Sequence, residues 1–225
     1  KNIDDNIILK NIDSDDKALW SFLLMGGYLK PTAERMSPVT DKMYYQLAIP
    51  NREVRTAYIS IIERYFSRKI DNKKLKIMLG ALIKGDIKLF EKMLRKVVTA
   101  IFSFHDFGGE PEKVYHALVT GLLVWISDTH EIKSNRESGY GRYDIMIMPL
   151  AVAPSKSTNN VSPNLPGYII EFKAVDRDEN ETVPAAIEAA LDQIEEKKYE
   201  TELMERGITH IKKLAIVFSG KDVYV

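Results

Sequence analysis

The chain has 225 residues, 45% of them apolar and 28% charged, with 32 Lys+Arg against 32 Asp+Glu. That balance excludes a disordered tail, a collagen-like chain and a coiled coil, and no apolar run approaches the roughly 18 residues that a membrane span requires. The absence of cysteine excludes a disulfide scaffold, thiolate zinc and a cysteine nucleophile, and it fits a reducing cytoplasm. The first residues, Lys1-Asn2-Ile3-Asp4, carry neither an initiator methionine nor a signal peptide, which reads as a fragment of a longer protein.

The neutral total hides an asymmetry. Residues 1–100 hold 19 basic against 12 acidic side chains (+7), residues 101–170 hold 5 against 7, and residues 171–225 hold 8 against 13. The basic excess between Lys42 and Lys96 suits either a phosphate-contacting surface or solvated helix faces.

In chain order, Asp15-Asp16 can cap a helix through Leu24 that stops at Gly26-Gly27. Met43–Ile49 is aromatic and branched, and reads as one strand of a hairpin. Asn51 caps an amphipathic helix whose Val54, Tyr58, Ile61, Ile62 and Tyr65 share one face. Two further helices are expected over 71–85 and 86–103. The helix–hairpin–helix order makes this first part mainly helical and winged-helix-like. Composition changes near Phe104–Gly109, so two domains are expected, 1–103 and 104–225. The second should hold a helix over 110–127, strands near 129–136 and 142–149, and a polar loop over 151–166. A strand over 167–175, a helix over 183–206 and a last strand over 213–218 complete it. Together they predict an α/β layer in which the last strand joins the sheet through a crossover helix.

The chemistry concentrates in two strands. In Gly167–Val175, residues i and i+2 share a face, so Glu171 and Lys173 point one way and Phe172 faces the core. Asp144 lies on the preceding strand of an expected antiparallel pair. Two carboxylates and an ammonium flanked by Ile169, Ile170 and Phe172 are costly to bury unless paired or bound to metal. Such carboxylates are hard oxygen ligands for Mg²⁺ or Mn²⁺, and a lysine beside them can orient a water, the donor set of metal-assisted phosphodiester hydrolysis. Taken alone, Glu-x-Lys is also the pattern of an ordinary ion pair.

The set Asp144…Glu171-Phe172-Lys173 resembles the PD-(D/E)XK, or restriction-endonuclease-like, nuclease superfamily. The run Ser134-Asn135-Arg136-Glu137-Ser138-Gly139-Tyr140-Gly141-Arg142-Tyr143-Asp144 resembles the nuclease-like module at the C-terminus of bacterial AAA-ATPase-like proteins. Glu112…Tyr115-His116 and Ala190-Leu191-Asp192-Gln193-Ile194…Tyr199 add to that likeness. Leu19–Leu24, Gly27-Tyr28-Leu29 and Ile49–Arg55 resemble the segment joining such an ATPase to the module. The resemblance implies a mixed central sheet flanked by helices, with Asp144, Glu171 and Lys173 as the metal and catalytic set. It also implies Gln193 as the glutamine of the following helix and Glu112 as a helix-borne acid, with the Phe172 carbonyl a further ligand. Arg136, Glu137 and Arg142 flank a hairpin at 138–141 and are expected to support the site or contact phosphate, with Tyr199 in the core or at the rim of the site. Position 143 is tyrosine where the superfamily name has proline, which is not a ligand. The implied partners are DNA or RNA and an AAA-type ATPase domain of the same parent chain, with no membrane. The alternative is a catalytically silent nucleic-acid-binding or regulatory module of that ATPase.

No other motif competes. Gly220-Lys221 lacks the rest of a phosphate-binding loop. The four histidines (His105, His116, His130, His210) have no metal-ligand spacing, and His116 reads as a packed or hydrogen-bonded side chain.

Overall fold

The structure is a computed structural model and describes residues 3, 16–39, 42–101, 111–150, 165–175 and 180–225. The change of composition at 104–109, and all but the end of the loop expected at 151–166, lie outside the described residues.

Two compact units divide at Ile61/Ile62. In the first, α1 (Asp16–Met25) stops at Gly26-Gly27, where Gly27 takes a left-handed φ of 75°. A two-stranded antiparallel sheet follows, β1 (Lys30–Met36) and β2 (Met43–Ala48), with an irregularity between Pro31 and Ala33. The Asn51 carboxamide then accepts the Val54 amide at 2.9 Å and starts α2 (Arg52–Ser67), the cap expected from the sequence.

The second unit begins within α2 and contains everything after it. Its helices start where side chains satisfy free amides. Asp71 accepts the Lys73 amide at 2.9 Å to open α3 (Asn72–Lys84), and Asp86 accepts the Leu89 amide at 3.1 Å to open α4 (Ile87–Ile101). Gly85 closes α3 with a left-handed φ of 76°. Then come α5 (Pro111–Leu123), a 3-10 turn (Val124–Ile126), β3 (His130–Ser138), β4 (Gly141–Pro149), β5 (Gly167–Ala174), α6 (Val183–Glu196), α7 (Thr201–Glu205), β6 (Ile211–Ser219) and β7 (Asp222–Tyr224).

The sheet is mixed, in the order β3-β4-β5-β6-β7. β3, β4 and β5 pair antiparallel, β5 and β6 pair parallel across the α6–α7 crossover, and β7 folds back on β6. One face buries Tyr168, Ile170, Phe172, Ile216 and Phe218 against α3, α4 and α5. The other carries Met146, Met148 and Ile169 against Ile194, Tyr199 and Leu203, and Ala215 and Val217 against Ala186 and Ala190. This is the expected mixed α/β sheet flanked by helices.

The units divide well before the change of composition near 104 because α3 and α4 share the core of the sheet. The apolar stripe of α4 (Phe90, Met93, Leu94, Val97, Val98) lies in the same cluster as β5 and β6, and Arg95 donates to the Val223 carbonyl of β7 at 2.8 Å. The helix expected over 183–206 is two helices, broken at 197–200, where Lys198 takes a φ of 50°. β1 is the other strand of the expected hairpin, for which the sequence marks no range, and β7 has no counterpart among the expected elements.

Candidate functional site

The site forms where the sheet comes unzipped. β4 and β5 pair at Ile147↔Tyr168, Met146↔Ile169 and Ile145↔Ile170, and there the ladder ends, while β5 and β6 continue together to Ala174↔Phe218. At the next position Asp144 turns its own side chain onto the neighbouring strand, its Oδ2 accepting the Phe172 amide at 2.9 Å. The β3–β4 ladder also skips a rung here: Ser134↔Ile145 and Arg136↔Tyr143 pair, but Asn135 and Asp144 between them do not. Asn135 takes a φ of 53°, a left-handed conformation that asparagine tolerates better than most residues. The in–out alternation of β4 slips at the same point. Tyr143 enters the α6-side core and Ile145 the α5-side core, although two residues apart on a regular strand they would share a face.

The backbone groups freed by this interruption are satisfied by side chains, as buried polar backbone must be. His116 on α5 brings Nε2 to 3.2 Å from the Asp144 carbonyl and 2.9 Å from Ser134 Oγ. A carbonyl only accepts, so Nε2 carries the proton. The ring also packs edge-on against Phe172 at 5.5 Å. His116 is therefore the hydrogen-bonded histidine read from the sequence, and its role is specific, since it holds the peptide of Asp144.

On β5 the alternation runs as expected. Phe172 is fully buried, and Glu171 points to the α6 side, where the Gln193 amide donates to its Oε1. The oxygen of that Gln193 amide accepts from Lys173 Nζ at 3.0 Å, so one glutamine bridges the lysine and the carboxylate. Gln193 Nε2 also lies 3.3 Å from the Tyr199 hydroxyl, which donates to the Arg142 carbonyl at 2.8 Å. Ala186 and Ala190 are the small residues that let α6 approach the sheet.

Glu171 is only 3% exposed, and its Oε2 is buried without a hydrogen-bond partner among the described residues. Burial first, and then the charge of Asp144, push its carboxyl up to about 8, against the opposing pull of Lys173. The carboxyl of Glu112, on the first turn of α5, is also raised, chiefly by partial desolvation, with Lys173 lowering it and Asp144 raising it. Glu112 thus faces the site without a hydrogen bond into it. Among the described residues no group of three His, Cys, Asp or Glu is assembled as a metal cage. What the site offers is an orphaned buried carboxylate oxygen beside a second carboxylate, a hard-oxygen pair that suits Mg²⁺ or Mn²⁺ completed by water and phosphate.

Arg136, Glu137 and Arg142 are exposed on the β3–β4 hairpin, and Glu137 pairs with Arg142 in the ladder. The model of the PD-(D/E)XK nuclease superfamily matches residues 110–225. The chain belongs to that superfamily. The matched residues contain the whole five-stranded sheet and every candidate side chain named above, so the PD-(D/E)XK assignment and the site rest on the same elements. Comparisons with the curated proteins and with the solved structures returned no match. Among the described residues no helix is long and apolar enough to cross a membrane.

Sequence reasoning missed Ser134 and the role of the interrupted ladder. The only local signal was Asn135, a residue that tolerates left-handed backbone, placed opposite a strand aspartate.

Proposed function

We propose that this PD-(D/E)XK domain is a metal-dependent nuclease that hydrolyses phosphodiester bonds in DNA or RNA. The observation that carries the reading is the buried Oε2 of Glu171, without a partner among the described residues and set beside Asp144 and Lys173. A buried acceptor without a partner is expensive, and a divalent cation is the ligand that removes the cost. Asp144 and Glu171 hold the Mg²⁺ or Mn²⁺, with Glu112 and the Phe172 carbonyl completing the protein's share. A bound cation of this kind supplies Lewis-acid stabilisation of phosphoryl oxygens and lowers the pKa of a coordinated water.

The remaining roles belong to the chain. Lys173 has three N–H groups and gives one to Gln193, which leaves two to orient the attacking water and face the phosphate. Gln193 fixes the spacing of Lys173 and Glu171 by binding both. His116 holds the Asp144 peptide, and Tyr199 ties Gln193 to the start of β4. Arg136 and Arg142 contact phosphate. The likeness of residues 19–55 to the connecting segment of bacterial AAA-ATPase-like proteins supports an AAA-type ATPase domain in the same parent chain, and the lack of cysteine fits a cytoplasmic setting.

The test is cleavage of fluorescent single- and double-stranded DNA and RNA with Mg²⁺, Mn²⁺ or EDTA. Wild type is compared with Lys173→Ala and Asp144→Asn, the latter keeping an acceptor for the Phe172 amide. Metal-dependent cutting lost in both variants supports the reading, and cutting retained by Lys173→Ala refutes it. The second reading, a silent binding or regulatory module, is favoured by one observation: a Glu171 carboxyl raised to about 8 is mostly neutral at pH 7 and a poor ligand until a cation displaces its proton. Binding by wild type without cutting under any metal would select it.

A further inference from the structure

The tip of the β3–β4 hairpin carries an exposed aromatic ring that nothing in the fold requires. Tyr140 is 74% exposed, yet the backbone beneath it is held on several sides. The Tyr140 amide donates to the Lys197 carbonyl at 2.7 Å, and Ser138 Oγ donates to the Tyr199 carbonyl at 2.8 Å. At Gly139 (φ 58°) a Cβ would stand 2.2 Å and 2.3 Å from the Lys197 and Lys198 carbonyls, so the tip lies backbone to backbone on the turn after α6. That turn leads through Tyr199 to Gln193, and so to Glu171 and Lys173.

The ring stands among cations. Lys198 Nζ lies 5.6 Å from its centroid, and Arg136, Arg142, Lys197 and Lys198 are all exposed. Among the described residues none of these four forms an ion pair. An exposed ring on a held backbone, with Lys198 over one face and cations free of ion pairs nearby, can take a nucleobase on its other face and the flanking phosphates. Tyr140 precedes Asp144 by four residues, so at about 3.4 Å per residue it stands within roughly 14 Å of the carboxylates, about four stacked base steps.

We infer that the hairpin tip is a stacking platform for an unpaired base of the substrate strand, with Tyr140 taking the base and Lys197, Lys198 and Arg142 the adjoining phosphates. This rests on the nuclease reading for the nature of the substrate and adds which part of it is grasped. It makes the domain selective for strands with an unstacked base near the scissile bond, in DNA or RNA alike.

The test is binding of the full 225-residue chain in EDTA to fluorescein-labelled single strands, blunt duplexes and duplexes with one unpaired base, as DNA and as RNA. Tyr140→Ala should weaken binding to strands with an unpaired base by about 5- to 150-fold, leave blunt duplexes within twofold, and be rescued by Tyr140→Phe. A 2-aminopurine at the unpaired position should be quenched by wild type and Tyr140→Phe but not by Tyr140→Ala, a signature that a merely structural tyrosine would not give. Replacing Lys197 and Lys198 by alanine should lower the log–log salt slope on single strands by about 1.4. Wild-type affinity in Tyr140→Ala, or an equal loss on blunt duplex, overturns the inference. Tyr140-dependent quenching by a protein that cuts nothing with metal leaves the platform standing and removes the nuclease reading. A wild type that cuts, beside a Tyr140→Ala that cuts single strands with unchanged kcat/KM, does the reverse.

Discussion

Replacing Glu171 by glutamine should stabilise the metal-free protein, and increasingly so as the pH rises. The carboxyl titrates near 8 in the fold, against 4.5 for its ordinary value, because it is buried and faces Asp144. Between those limits the folded chain keeps a proton that the unfolded chain gives up. Folding stability is therefore complete below 4.5 and declines as the pH climbs towards 8. At about 1.4 kcal/mol per unit, wild type loses on the order of 3 kcal/mol between pH 5 and pH 8 that Glu171→Gln does not lose. The lowered imidazole of His130 is common to both proteins and cancels in the difference, whereas Glu112 is coupled to Glu171 and adds a smaller change of its own. The assay is equilibrium urea unfolding in EDTA across that range. Mg²⁺ at pH 8 should then restore wild type alone, by about 2.7 kcal/mol at a hundred times its Kd. Parallel pH profiles for the two proteins would refute both the buried charge and the metal site built on it.

Other substitutions probe the frame. Gly80 lies inside α3 with open space where a Cβ would stand, so Gly80→Ala should raise stability by about 0.8–1 kcal/mol in urea unfolding. Gly139→Ala meets two carbonyls at under 2.5 Å on a left-handed backbone and should cost at least ~2 kcal/mol, read as a fall in Tm with loss of cleavage. His130 is buried, and burial lowers its imidazole below the ordinary 6.5. The unfolded chain then takes up a proton that the folded one refuses, and stability should fall as the pH drops through 6.5. His130→Gln should flatten that acid limb in urea midpoints measured at pH 7.5 and pH 5.5.

The parts of this fold legible in sequence were those governed by period and by capping. The two-residue alternation of β5 puts Glu171 and Lys173 on one side and Phe172 in the core, as the structure has it. Asn51, Asp71 and Gly85 mark helix ends by their own chemistry. β1 was not legible because all seven of its residues, Lys30–Met36, are exposed and give no apolar alternation, and β7 has only three residues. The break after α6 rests on a lysine in left-handed backbone, which sequence does not announce. The amphipathic stripe of α4 declares a buried face but not its partner, so a change of composition near 104 does not reveal that residues 62–101 pack with the sheet behind them. The candidate side chains could be named from motif and strand parity. Their setting could not, since the missing rung between Asn135 and Asp144 comes from backbone geometry and leaves no periodic trace.

The hydrogen bond from the Phe172 amide to Asp144 turns one backbone nitrogen into a sensor. Neighbouring strand amides answer to carbonyls, but this one answers to a carboxylate that a cation can claim. Its nuclear magnetic resonance should move with added Mg²⁺ while that of Ile170, inside the regular ladder, stays still. A single cross-peak would then follow the filling of the site without substrate, turnover or an unnatural label.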